Sequence, residues 1–120
     1  MPSVSSRYVD WCRHIIENVD RIESYVGDAT DPLRLETPVV ADAVERCLER
    51  ISEACQRFHR SKVELGEWEP LIPWRDIRAF GNIVRHEYDQ VDEQLIRDTI
   101  LAELPKLRAA AMRLLERFSQ

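Results

Sequence analysis

The sequence predicts an all-α protein, an antiparallel bundle of four to five helices, on three observations. Apolar residues recur at three- and four-residue intervals through most of the chain. No stretch of useful length alternates apolar with polar residues as a half-buried strand does. Only 3 of the 120 residues are Gly, too few for the many tight turns of an all-β architecture. The length suits one domain over residues 1–120, large enough for a core but with much surface left exposed.

The first helix is expected from about Ser5 to Val26, because Tyr8, Trp11/Cys12, Ile15, Val19, Ile22 and Val26 share one face. Gly27 is a fitting stop, and Asp28 to Glu36 is a polar connector. The second helix opens on Thr37 as N-cap with Pro38 at the first helical position. Val40, Val44, Cys47, Ile51, Cys55 and Phe58 form its stripe. It ends in Arg57, His59, Arg60 and Lys62, either as cations complementing the helix dipole or as a rim that contacts RNA. Gly66 to Pro73 is a second connector, and a third helix starts near Trp74 and carries through Tyr88 or beyond. Val91 to Leu101 reads as helical after a bend. A last helix opens near Glu103, with Pro105 in its first turn and Leu104, Leu107, Ala111, Leu114 and Phe118 as its stripe.

A hydrophobic fraction of 44% with 32% charged residues describes a globular chain in water. No apolar run approaches the ~20 residues that span a bilayer, so no membrane partner is expected. Met1 to Asp10 lacks the basic-then-apolar pattern of a secretory leader, and the cytoplasm is the expected compartment. Cys12, Cys47 and Cys55 are odd in number, widely spaced and on apolar stripes, which reads as buried thiols in a reducing compartment. No ligands stand at zinc-binding spacing, so neither metal nor cofactor is expected. A net charge of −5 argues against broad grip on nucleic acid but not against a local basic cleft.

The stretch Gly81-Asn82-Ile83-Val84-Arg85-His86-Glu87-Tyr88 concentrates an amide, a guanidinium, an imidazole and a phenol on one predicted helix. An imidazole moves protons near neutral pH, and a guanidinium holds charge on a phosphate oxygen. Together they suit phosphodiester chemistry without a metal. At about 100° per residue, Asn82 lies one turn before His86 on the same side. Arg85 sits about 100° from His86, with a stem long enough to bend to a shared phosphate. Arg78 lies about 80° round and roughly 12 Å back along the axis, better placed for a different phosphate or the second subunit's site. Tyr88 falls about 200° from His86 on an ideal helix, so the helix must bend or end there, or a second subunit must contribute. His14 and His59 have no partner at catalytic spacing and read as surface or structural residues.

These residues, with Pro73-Trp74-Arg75-Asp76-Ile77 and Phe80 before them and Val91-Asp92, Asp98-Thr99-Ile100 and Leu104-Pro105-Lys106-Leu107 after, resemble the HepT-like branch of the HEPN superfamily. The resemblance implies an all-α homodimer and a metal-independent RNase, the toxin of a type VII toxin–antitoxin pair. Its implied partner is an MNT-type nucleotidyltransferase antitoxin that adenylylates the motif tyrosine. His86 matches the motif His, Tyr88 the motif Tyr, and Asn82 the polar residue after the motif Arg. Gly81 stands where that Arg belongs, a departure that leaves Arg85 as first choice for its role and Arg78 as the other candidate. Arg85, His86 and Asn82 are thus the expected catalytic set, Tyr88 the RNA-contacting or adenylylated residue, and Arg78 a phosphate contact. The alternative reading is a non-catalytic HEPN subunit that serves as a platform for the transferase or a nucleotide. Trp11, Trp68 and Trp74 are available to an apolar dimer face.

Overall fold

Helix α1, Val4–Val26, leads into α2, Pro38–Arg60, with which it packs antiparallel. The computed structural model describes backbone over residues 4–26, 37–86 and 90–120, and side chains over 6–26, 37–81 and 98–120. A single 3₁₀ turn, Leu65–Glu67, precedes α3, Trp74–His86, and α4, Gln90–Phe118, closes the fold. No strand occurs among the described residues. The antiparallel sense follows from which helix ends meet. Tyr8 and Trp11 near the start of α1 pack on Phe58 near the end of α2, and Tyr8 packs on Phe118 at the end of α4. Ser52 and Gln56 late in α2 meet Arg78 in α3.

The predicted stripes become the core. Ile15, Val19 and Ile22 of α1, Val44, Ile51 and Phe58 of α2, Ile77 and Phe80 of α3, and Leu104 and Leu107 of α4 are all buried. Each large apolar side chain withdrawn from water contributes about 1.5–3 kcal/mol, which is what holds four amphipathic helices together. Phe58 is the junction, with its ring 5.1 Å from Trp11, 5.7 Å from Tyr8 and 5.8 Å from Phe118. The three thiols are buried and free. Burial pushes Cys12 up to about 12, and pushes Cys55 up to about 12 despite the nearby Arg78 charge.

Four local details are set by the structure. First, α1 begins at Val4, within a residue of the expected start near Ser5. Second, Thr37 holds the N-cap position but makes no side-chain capping bond; its carbonyl accepts from the Ala41 N–H at 2.9 Å. Third, the expected fresh start near Glu103 does not occur, and α4 runs unbroken from Gln90 through Pro105. Ile100, Leu101, Leu104, Leu107, Ala111 and Leu114 form one buried stripe across the proline, whose ring stands on the exposed side. Burial on that scale outweighs one missing backbone bond. Fourth, Trp74 is a core residue, so it offers nothing to an outer apolar face. Trp68 is 37% exposed, but its ring is engaged by Phe118 edge-on and by the Arg117 guanidinium at 5.0 Å.

The end of α2 is a Schellman turn. Val63 N–H donates to Phe58 O and Lys62 N–H to His59 O, both at 3.0 Å, with Lys62 in the left-handed region at φ 61°. No described helix is long and apolar enough to cross a membrane.

Candidate functional site

Helix α3 carries the motif, and its amphipathic pattern decides which way each position faces. Trp74, Ile77, Phe80 and Gly81 are buried, so this side of α3 is pressed into the bundle. Arg75 and Asp76 are exposed, and Arg78 and Ala79 are half-buried. The helix is pinned at its start, where the Trp74 indole N–H donates to Glu69 O at 2.9 Å and Ile77 N–H to Pro73 O at 3.1 Å.

The middle of α3 is pinned by α2. Ser52 Oγ donates to Arg78 O at 3.1 Å and accepts from the Gly81 N–H at 3.2 Å. Gln56 Nε2 donates to the same Arg78 carbonyl at 3.1 Å. Ser52 is 1% exposed, so its hydroxyl is a polar tie inside an otherwise apolar seam. It fixes both the axial position and the rotation of α3 on α2. Sequence reasoning misses Ser52 and Gln56. The one available signal is a small hydroxyl among Leu48, Ile51 and Cys55 on the apolar stripe of α2.

The backbone remains helical through Asn82, Arg85 and His86. Positions 82 and 86 are therefore one turn apart on one side of α3, and position 85 lies about 100° from 86. The side chains of Asn82, Arg85 and His86 lie outside the described residues, as does all of Tyr88. The expected continuation of the third helix beyond His86 also falls on residues outside the described set. Gly81, at the place of the family's motif Arg, is buried against Ser52.

Arg78 is described in full. It lines a groove of about 350 Å³ between the end of α2 and the start of α3, shared with His59, Arg75, Glu64, Cys55 and Trp74. The structure thus joins two residues that are far apart in sequence, Arg78 and His59. The basic end of α2 divides. Arg60 and Arg57 reach Glu53 Oε1 at 2.8 and 3.4 Å. Burial alone would raise the Glu53 carboxyl, but the hydrogen bonds and charges of Arg60 and Arg57 leave it below its ordinary value. His14 is exposed, and its carbonyl accepts from Asn18 Nδ2 at 2.7 Å. Among the described residues, no group of three or more His, Cys, Asp or Glu is placed to hold a metal ion.

The chain is similar in sequence to known proteins. A family model described as "Ribonuclease HepT-like" matches residues 15–114. A protein of Caldanaerobacter subterraneus subsp. tengcongensis named "Putative RNase" is 32% identical over 108 residues, 88% of this chain and 86% of that protein. A Methanocaldococcus jannaschii protein named "Gamma-glutamylcyclotransferase and putative RNase" is 28% identical over 106 residues, 88% of this chain. The match spans less than half, 46%, of that relative's own length. Another "Putative RNase" of M. jannaschii is 26% identical over 94 residues, 78% of this chain and 75% of that protein. No solved structure matches.

Proposed function

The chain belongs to the ribonuclease HepT-like family, and from that premise we propose that it is a metal-independent endoribonuclease working as a homodimer. In this reading the whole chain is one HEPN domain of the cytoplasm, the toxin of a type VII toxin–antitoxin pair. An MNT-type nucleotidyltransferase silences it by adenylylating Tyr88. The observation that carries the proposal is the register of α3. A helix tied to α2 through Ser52 and Gln56 runs unbroken to His86, with positions 82 and 86 one turn apart.

RNA supplies its own nucleophile. The 2′-hydroxyl loses a proton and attacks the adjacent phosphorus, the P–O5′ bond breaks, and the departing 5′-oxygen gains a proton. His86 takes the first proton, and the partner subunit's His86 delivers the second. Arg85 stabilises the negative charge that builds on the phosphate, the role the motif Arg would fill at Gly81. Asn82 orients the imidazole or donates to a phosphate oxygen. Tyr88 contacts the strand, and an AMP group on its hydroxyl places a bulky anion where the phosphate must enter.

The test is RNA cleavage in EDTA by the wild type and by His86→Ala. Cleavage by the wild type alone supports the reading; equal cleavage by both removes it. Intact mass after incubation with ATP and the cognate transferase should rise in steps of AMP, and Tyr88→Phe should abolish the rise. Gly81 supports a second reading, since a family member without the motif Arg fits a non-catalytic platform. A wild type that cuts nothing but holds the transferase in a stable complex would favour it.

A further inference from the structure

Most of the cations on the described surface are already engaged. Arg13, Arg46, Arg57, Arg60, Lys106, Arg108 and Arg113 pair with carboxylates, and Arg117 lies over Trp68. Arg75 and Arg78, like Arg7, Arg21, Arg50 and Lys62, have no ion pair among the described residues, and these two line one groove of about 350 Å³. His59 forms the α2 wall of that groove. Two guanidiniums without ion pairs on one concave surface, against the single carboxylate of Glu64, favour an anion there.

Helical register ties the groove to the motif. Position 75 lies seven residues before 82 and eleven before 86, so all three fall within about 20° of one line along α3. Position 78 flanks that line and is held in place through its own carbonyl by Ser52 and Gln56. The axial distance from 78 to 86 is ~12 Å and from 75 to 86 ~16 Å. At ~3.4 Å per stacked nucleotide, these distances are three to five nucleotides of a single strand.

We propose that this groove holds the RNA strand beyond the cut, with Arg75 and Arg78 each engaging a backbone phosphate a few nucleotides from the scissile bond. His59 closes the far wall. The proposal rests on the ribonuclease reading and adds the direction in which the substrate leaves the cleft: toward the start of α3 and the end of α2. Glu64 is the carboxylate on the lining and opposes binding.

The experiment separates this track from catalysis. Binding is read with a fully 2′-O-methylated single-stranded RNA, which lacks the nucleophile and survives intact. Removing one arginine–phosphate pair should reduce the slope of log K against log salt by ~0.7, so Arg75→Gln with Arg78→Gln should reduce it by ~1.4 and weaken binding. Glu64→Gln should tighten binding, and Arg46→Gln, an exposed cation early in α2 and away from the groove, should change nothing. An unchanged slope in the double variant, with its helical circular dichroism intact, overturns the groove. The double variant should lose more kcat/KM on long RNA than on a dinucleoside phosphate. Equal loss on both substrates would move the two arginines to the scissile bond and overturn their placement. If the wild type cuts no RNA at all, the ribonuclease reading falls, and the salt slope alone still decides whether the groove binds RNA.

Discussion

Ser52 of α2 and Gly81 of α3 meet through a 3.2 Å hydrogen bond whose oxygen also donates to the Arg78 carbonyl one turn earlier. One buried hydroxyl thus sets the rotation of the helix that bears the motif. Ser52→Ala removes both bonds, while Arg78 O keeps Gln56. The expected cost is about 1–2 kcal/mol in urea denaturation. RNA cleavage should fall further than in a core variant of equal stability loss, because the register of α3 is loosened as well.

Lys62 occupies the left-handed position of the Schellman turn with φ at 61°. A non-glycine residue there carries about 1–2 kcal/mol of strain. Lys62→Gly should therefore raise stability by about 0.5–1 kcal/mol, less than the strain because glycine has more freedom to lose on folding. Thermal unfolding followed at the helical band checks it.

Pro105 is exposed and sits inside α4, where it leaves Leu101 O without its helical donor. Pro105→Ala should restore that bond and stabilise the protein by about 1–2 kcal/mol, after allowing for the more flexible unfolded chain. No change in stability would mean that packing of the ring itself compensates.

Burial holds the Cys12 and Cys55 thiols protonated, with both raised from 9.0 to about 12. The folded state keeps protons that the unfolded chain releases. Stability from these groups is complete below pH 9 and is lost as pH rises toward 12. Each thiol should steepen the loss of stability with pH in that window. Melting curves across the range should fall less steeply for Cys12→Val and Cys55→Ala. Below pH 9, thiol reagents should label neither residue until the protein is denatured.

Glu69 links the connector before α3 to α4. Its carboxylate accepts from Arg113 Nη2 at 2.6 Å, and its carbonyl accepts from the Trp74 indole. The Arg113 hydrogen bond holds the Glu69 carboxyl below its ordinary 4.5. The associated stability is present above pH 4.5 and is lost as pH falls through the lowered value. Glu69→Gln should flatten the acid limb of the stability curve and lower the neutral value by the same modest amount, since the Arg113 side of the pair is exposed.

The stripes are legible in the sequence because burial demands them. Residues such as Ile15, Val19 and Ile22, or Val44, Cys47 and Ile51, can share a core only on a helix of 3.6 residues per turn. Pro105 is misleading, because a proline's local cost is visible in sequence while the tertiary stripe that outweighs it is not. Lys62 carries no signal, since a lysine at a left-handed turn breaks the preference for glycine that makes such turns readable. In the candidate site, the motif positions and their spacing can be read directly. The tie from Ser52 and Gln56 cannot, because it joins residues 22 to 29 positions apart.

Periodicity and the motif by themselves determined a helical bundle, its stripes, three buried thiols and the family. They did so because each depends on residue types at short spacing along one helix. The tertiary structure alone decided that α4 is continuous, that Trp74 is core, and that Arg75, Arg78 and His59 share a groove. Those outcomes turn on how helices distant in sequence rotate against each other, and that rotation is fixed by packing and by a single buried hydroxyl.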